Sequence, residues 1–470
     1  MDRFLHPCVC RCNMHMREWR LEGYSWRSTS SCTSAISLQS QILRRKENSM
    51  SALILLGSFM ILVAFGVPIA FCTGLSALVS LVVAGTPLSA VAQRVFAATD
   101  SFTLLAIPFF MLSGKLMEYG GISKRIIRLV ETLVGYVAGG MAVVSTIACM
   151  FFGAVCGSST GTVAAIGSIM MPSMEENNYD KGFAGAVIST AGSLGILIPP
   201  SIPMIIYAVS QGASVSDLFT AGIEVGVISG VALIIYIMIK SKKCGYKGLD
   251  TRPSVQEVWV AFKDAILALL MPVIILGGIY GGFFTPTEAA AVACLYGFIV
   301  GCFVYKQFRL SDVPEIILVS AKNTATVMFI IATSSLFGWQ MTILQIPQSI
   351  ATGILSVTTS KILIILIMLV FLVIVGTFME GNAYLVILAP LLAPIATALG
   401  LSLVQFGLVM VVSICVGTIT PPLGLNMFCI CGIYDVKIEQ VIKNIIPFVL
   451  IMIGVLMLVA FVPAASMLFL

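Results

Sequence analysis

From Met50 to the last residue the sequence contains no histidine; His6 and His15 both lie before it. That absence excludes a Ser-His-Asp triad, a Cys-His dyad or a His-liganded zinc site from this stretch. Charge is scarce too. Of 470 residues, 10% are Asp, Glu, Lys or Arg and 59% are hydrophobic. A soluble domain carries roughly 25% charged residues. So few charges cannot cover a water-facing sphere, which excludes a soluble enzyme, a nucleic-acid binder and a disordered scaffold. What remains is an all-α polytopic membrane protein. At about 20 apolar residues per span, this length admits roughly a dozen crossings.

The net charge of +5 is unevenly placed. Residues 1–49 hold eight basic and four acidic residues, both histidines, four of the thirteen cysteines and two of the four tryptophans. No apolar run there is long enough for a signal-peptide core. Cys8, Cys10, Cys12 and His15 hint at metal. Their C-x-C-x-C spacing is not that of structural zinc, and only Cys32 follows. The segment reads as a disordered basic extension, or as sequence ahead of a true start at Met50. The later cysteines, such as Cys72, Cys149, Cys294 and Cys415, lie in apolar runs and read as small buried hydrophobes.

Apolar stretches run over 52–70, 71–86, 99–117, 129–150, 182–209, 219–239, 262–282, 286–304, 323–342, 361–378, 402–431 and 443–465. The connection 241–262, flanked by Lys240 and Lys263, holds Lys242, Lys243, Lys247 and Arg252. By the positive-inside rule it is cytoplasmic. Lys124, Arg125 and Arg128 form a second basic cluster, and Lys306 and Arg309 a third.

The chain repeats itself. Gly195, Pro199 and Pro200 recur as Gly417, Pro421 and Pro422, 222 residues on. Pro172 and Pro394, Ser101 and Asn323, and Ser113 and Ser335 share that offset, and Gly157 falls near Gly381 at 224. Each match is weak, but the constant order implies two membrane repeats, 50–240 and 263–470. Repeats of inverted topology build many secondary transporters, with sites near the midplane at the repeat interface.

The Pro-Pro pairs carry the chemistry. Each proline lacks an N–H and frees backbone carbonyls, so Pro-Pro breaks a spanning helix. Two broken helices are expected, at about 182–209 and 402–431. A break at membrane depth survives only against protein or a water-filled cavity. Freed carbonyls suit a small cation, and the half-helix N-termini beyond them suit an anionic group. The segments at about 153–172 and 381–399 have the polar heads Gly157-Ser158-Ser159-Thr160-Gly161-Thr162 and Glu380-Gly381-Asn382-Ala383. They read as re-entrant hairpins whose hydroxyls and amides bind an ion or a carboxylate without a full charge in lipid. Charges in or near apolar stretches are candidates by default: Asp100, Lys115, Glu118, Glu224, Glu288, Lys322 and Glu380. Asp100 and Glu380 stand out by position.

The runs 152–162 and 189–201 resemble the large membrane subunit of tripartite ATP-independent periplasmic (TRAP) transporters. So do Ala106-Ile107-Pro108-Phe109-Phe110, the run 281–289 and Gly417-Thr418-Ile419-Thr420-Pro421-Pro422. These motifs span 51–465 in family order. The resemblance implies an elevator-type transporter in the bacterial inner membrane, not an enzyme. It implies uptake of an organic acid, typically a carboxylate such as a dicarboxylate or sialic acid, on a sodium gradient. It implies no cofactor other than the coupling ion, Na+. A periplasmic substrate-binding protein delivers the substrate, and a small four-helix membrane subunit is a separate partner because residues 1–49 are polar. The moving parts lie within 99–210 and 323–430. Carried onto this chain, the sodium sites involve Ser158, Ser159, Thr160, Gly192, Ser193 and Gly195, with Gly381, Asn382, Gly417, Thr418 and Thr420 in the other half. The substrate lies between, near Pro200, Pro422 and Asn426. A stand-alone ion-coupled carboxylate symporter of related fold is the alternative.

Overall fold

The computed structural model describes residues 50–249, 252–357, 360–421 and 424–468. The basic extension 1–49 and Pro422 lie outside the described residues. The described residues form helices and no strand.

The first repeat contains α1 (Met50–Ala64), α2 (Ile69–Val83), α3 (Leu88–Thr99), α4 (Ala106–Tyr119), α5 (Ile122–Val134), α6 (Gly140–Cys156), α7 (Ser159–Glu176), α8 (Lys181–Ser193), α9 (Ile202–Gln211) and α10 (Val215–Cys244). The second contains α11 (Val255–Tyr280), α12 (Pro286–Ile299), α13 (Val313–Ile343), α14 (Ile346–Val357), α15 (Lys361–Gly376), α16 (Gly381–Ala398), α17 (Leu403–Ile419), α18 (Leu425–Ile433) and α19 (Ile438–Phe461). The starts of α7 and α16 are 222 residues apart, as are those of α8 and α17. The match is imperfect early on, where α3 and α4, bent by 57°, stand where the second repeat has the single helix α13.

Six of these helices are long and apolar enough to cross a membrane, and the bent pair α3–α4 makes a seventh. The dozen apolar stretches therefore do not make a dozen simple crossings. The stretch 402–431 holds two half-helices, α17 and α18, and 182–209 holds α8 and α9. The segment 153–172 is the tip and returning arm of a larger hairpin, α6–α7, and 381–399 is only the returning arm of α15–α16. The outgoing arms, α6 and α15, are unbroken apolar helices that hydropathy cannot tell from spans.

Contacts at the basic face establish the inversion. Arg125, at the start of α5, bonds Asp264 of α11 at 3.2 Å and lies 3.6 Å from the ring centroid of Tyr305, just past α12. The end of α4 and the chain leading into α13 therefore share one face, so α13 runs antiparallel to α4. The same holds at the other end of the repeats. The hydroxyl of Tyr246, just past α10, accepts the amide of Asp180 at 3.2 Å, and Asn444 near the start of α19 donates to the Asp180 carboxylate at 3.1 Å. Where α10 ends, α19 begins, and the equivalent helices point in opposite directions.

The repeats interlock rather than abut. Helix α2 packs on α13, and α12 packs on α4. Thr73 donates to Thr333 across the first seam at 3.1 Å, and Thr287 to the Phe102 carbonyl across the second at 2.9 Å. In lipid such hydroxyl pairs join helices that the hydrophobic effect alone does not.

Cys244 is exposed at the end of α10, in the basic connection. In a variant with Cys244 as its sole cysteine, a membrane-impermeant maleimide should label inside-out vesicles and spare right-side-out ones. Labelling from the periplasmic face would contradict this topology.

Candidate functional site

Helix α6 stops at Gly157, which adopts φ +60° and turns the chain back. Ser158 then caps α7, its hydroxyl accepting the amide of Gly161 at 3.3 Å, while its carbonyl accepts the Thr162 hydroxyl at 2.7 Å. This tip lies on the break of the same repeat. A Cβ at Gly157 would stand 2.8 Å from the Pro200 carbonyl oxygen, and one at Gly153 would stand 2.5 Å from the Gly195 Cα. A Cβ at Gly195 would collide with the Thr162 hydroxyl, and one at Gly192 with Val163. Only glycine permits this approach. Beyond Pro199-Pro200, Ser201 closes the break: it caps α9 and donates to the Ile196 carbonyl at 2.5 Å.

The second repeat builds the same device from other side chains. Glu380 caps α16 and is half-buried. Its carboxylate accepts the amides of Asn382 and Ala383 at 3.0 and 3.1 Å and the Asn382 side-chain amide at 2.8 Å. Its negative charge sits at the positive end of α16. The tip again lies on its own break: a Cβ at Gly417 would stand 2.9 Å from the Gly376 Cα and collide with its carbonyl. Gly381 faces Ile414, 2.9 Å from where its Cβ would be. Thr418 donates to the Cys415 carbonyl at 3.0 Å and Thr420 to that of Val416 at 2.6 Å.

Each tip also touches the opposite repeat: α7 packs on α18, and α16 on α9. Asn426, fully buried in α18, ties the first contact together. Its carbonyl accepts Ser159 at 2.9 Å, its amide donates to the Ser189 carbonyl at 2.9 Å, and its backbone carbonyl accepts the Ser189 hydroxyl at 3.3 Å. Ser193 donates to the Thr190 carbonyl, and its own carbonyl accepts the Cys415 thiol at 3.2 Å. The Thr160 carbonyl accepts the Cys429 thiol at 3.7 Å.

Hence the N-termini of α7, α9, α16 and α18 and the C-termini of α6, α8, α15 and α17 meet around the two tips. The first set favours an anion and the second a cation. No described residue donates a hydrogen bond to the carbonyls of Ile198 or Pro199 in one break, or of Thr418 or Ile419 in the other. The Asn382 carbonyl oxygen is buried and unpartnered among the described residues. Those residues hold no His/Cys/Asp/Glu cluster suited to a metal, so the ligands on offer are hard neutral oxygens, the donor type of alkali cations. The other charges take no part in the hydrogen bonds of the tips, although Gly114 of α4, next to Lys115, packs against Cys156 at the end of α6. Asp100 is exposed at the α3–α4 bend, Lys115 pairs with Glu118 at 2.6 Å, Glu288 closes a capping box on Thr285, and Glu224 accepts the Leu468 amide at 3.1 Å.

The model of the DctM component of tripartite ATP-independent periplasmic transporters matches residues 56–465. The chain belongs to this family. It is 43% identical over 417 residues to the isethionate TRAP transporter permease protein DctMQ of Oleidesulfovibrio alaskensis, covering 88% of this chain but only 66% of that relative. It shares 42% over 397 residues with the C4-dicarboxylate TRAP transporter large permease protein DctM of Pseudomonas aeruginosa, covering 84% of this chain and 92% of the relative. It shares 34% over 404 residues with the sialic acid TRAP transporter large permease protein SiaM of Vibrio cholerae, covering 86% and 94%. Its fold is similar to that of the YdaH transporter of Alcanivorax borkumensis, with TM-score 0.56 and 16% identity over 79% of this chain and 87% of that one. The protein is a multi-pass inner-membrane DctM-family permease, and these relatives carry the names of transporters, not enzymes.

In this DctM-family chain, sequence reasoning did not name Gly153, Gly376 and Ser189 as site residues; Thr162 it placed in the polar head of the first tip. The glycine pair carried a signal, for Gly153 and Gly376 lie 223 residues apart, close to the offset of their contact partners Gly195 and Gly417. Ser189 carried none, because its role depends on which helix faces it.

Gly153→Ala and Gly417→Ala should each destabilise the DctM-family fold by about 1–3 kcal/mol, since backbone must move to admit the methyl group. Gly432→Ala, with open space around its Cβ, should be near neutral. Thermal melts of the purified variants check this. Asn426→Ala leaves Ser159 and the Ser189 carbonyl without their partner and should cost about 1–3 kcal/mol; a wild-type melting temperature would refute its role as the cross-repeat tie.

Proposed function

We propose that this chain is the transport subunit for an organic acid, driven inward by a sodium gradient. The observation that carries the reading is the repeat-related pair of hairpin tips on broken helices, each bringing neutral oxygens beside helix N-termini. Family membership supports it, as do relatives whose names specify isethionate, C4-dicarboxylate and sialic acid, all organic acids. Sodium is bound by the first tip and break (Ser158, Ser159, Thr160, Gly192, Ser193, Gly195) and by the second (Gly381, Asn382, Gly417, Thr418, Thr420). The substrate anion lies between them near Pro200, Pro422 and Asn426, drawn by the half-helix N-termini. Glu380 acts through Asn382, whose amide it holds, so that the Asn382 carbonyl oxygen turns away toward the ion. The family description implies the partners: a small membrane subunit and a periplasmic binding protein. The hairpins and broken helices move together as an elevator against the remaining helices.

Energetics favour more than one ion. Concentrating a monoanion a thousandfold against ~100 mV costs about 6.4 kcal/mol. One sodium entering down a tenfold gradient under that potential returns about 3.7 kcal/mol. Two suffice, one for each tip.

The test is uptake of a labelled organic-acid panel into proteoliposomes holding this chain and its small subunit. Uptake should require both an inward sodium gradient and the binding protein. Uptake by the chain alone would favour a stand-alone symporter, and uptake indifferent to sodium would overturn the coupling. In the same assay Asn382→Ala should raise the half-saturating sodium concentration roughly tenfold, the loss of one charge-assisted oxygen contact.

A further inference from the structure

We propose that the basic junction between the two repeats binds one anionic phospholipid, its phosphate in a cationic cavity and an acyl chain in an adjoining apolar groove. The cavity, about 450 Å³, is lined by Tyr136 of the α5–α6 turn and by Ser241, Lys242, Tyr246 and Lys247 at and beyond the end of α10. Among the described residues its lining contains no acidic side chain. Lys242 and Lys247 are exposed, and the Arg252 guanidinium lies 5.4 Å from the Tyr136 ring centroid, adding a third cation to that wall. The frame is fixed by backbone: the Leu249 amide donates to the Gly135 carbonyl at 2.9 Å, and the Gly139 amide to the Tyr246 carbonyl at 3.1 Å. Ser241 lines the same cavity, and its hydroxyl is fully buried with no hydrogen-bond partner among the described residues. A buried hydroxyl without a partner is unfavourable; a phosphate oxygen would accept from it.

The groove, about 220 Å³, has a wholly apolar lining drawn from α5, α6 and α11, including Leu129, Leu133, Val134, Phe151, Phe262 and Leu269. Val134 lines the groove and Tyr136 the basic cavity, so two residues, less than about 8 Å of backbone, separate the sites. A ligand with an anionic head and an apolar tail uses both. A free phosphate uses only the first, and a zwitterionic lipid brings its ammonium group against the lysines. Basic pockets on the cytoplasmic side of helical membrane proteins recognise anionic headgroups in this way. The bound lipid would reinforce the packing of α5 and α6 of the first repeat on α11 of the second, where Arg125 already bonds Asp264.

The experiment uses the full chain in non-ionic detergent, titrated with dioleoyl-phosphatidylglycerol, dioleoyl-phosphatidylcholine or inorganic phosphate. Melting temperature and native mass spectra are the readouts. Phosphatidylglycerol should raise the melting temperature and leave one retained lipid, while the other two do neither. The double variant Lys242→Gln/Lys247→Gln changes two exposed side chains and should bind roughly thirtyfold more weakly. Lys437→Gln/Lys443→Gln, at the same membrane face but outside the cavity's lining, should match wild type. Equal stabilisation by phosphatidylcholine, full stabilisation by inorganic phosphate, or wild-type affinity in the Lys242/Lys247 variant would each overturn the proposal.

Discussion

Backbone polar groups have no water to turn to inside a bilayer, and the rest of this structure depends on that constraint. Two helices are interrupted where it is most costly to do so, at Pro199-Pro200 and after Ile419. Each interruption survives because a hairpin tip lies directly on it. The tip can come that close only because the facing positions are glycines: Gly153 on Gly195, and Gly376 on Gly417. Ser201 caps the helix start that the first interruption creates, and Ser158 and Glu380 cap the returning arms of the two hairpins. Some carbonyls are left over, and those leftovers are the chemistry.

Symmetry places the two devices but does not make them identical. The first tip is capped by a serine and the second by a glutamate. The tie from one tip to the opposite repeat runs through Asn426, whose buried amide meets Ser159 and Ser189. A pair of sites built from unlike groups fits the proposed cycle, in which two ions need not bind with equal strength. The cross-repeat bonds also join the two halves at the first tip, because α18 is at once the far side of the second break and a wall of that tip.

Much of this was legible in the sequence. Membrane character follows from the lack of charge, and the break positions follow from paired prolines at a constant offset. The tips announce themselves as small polar residues heading apolar segments. What was hidden has physical reasons. The outgoing hairpin arms, α6 and α15, are as apolar as any span, so hydropathy could not separate a returning hairpin from a crossing. The glycine pairs matter through a distance between chains, which a single position does not reveal. Glu380 stands out in the sequence as a charge at the head of the second tip, and its oxygens are turned back on its own helix, holding Asn382 in place. Asp100, marked beside it, stands exposed at a helix bend instead.

The central claim is that the oxygens left over at the two breaks bind sodium. The most direct measurement is the melting temperature of the purified chain in sodium, potassium and choline chloride at one ionic strength. The account predicts a rise that saturates in sodium alone, and that is reduced by Asn382→Ala. Identical melting temperatures in sodium and potassium would contradict it.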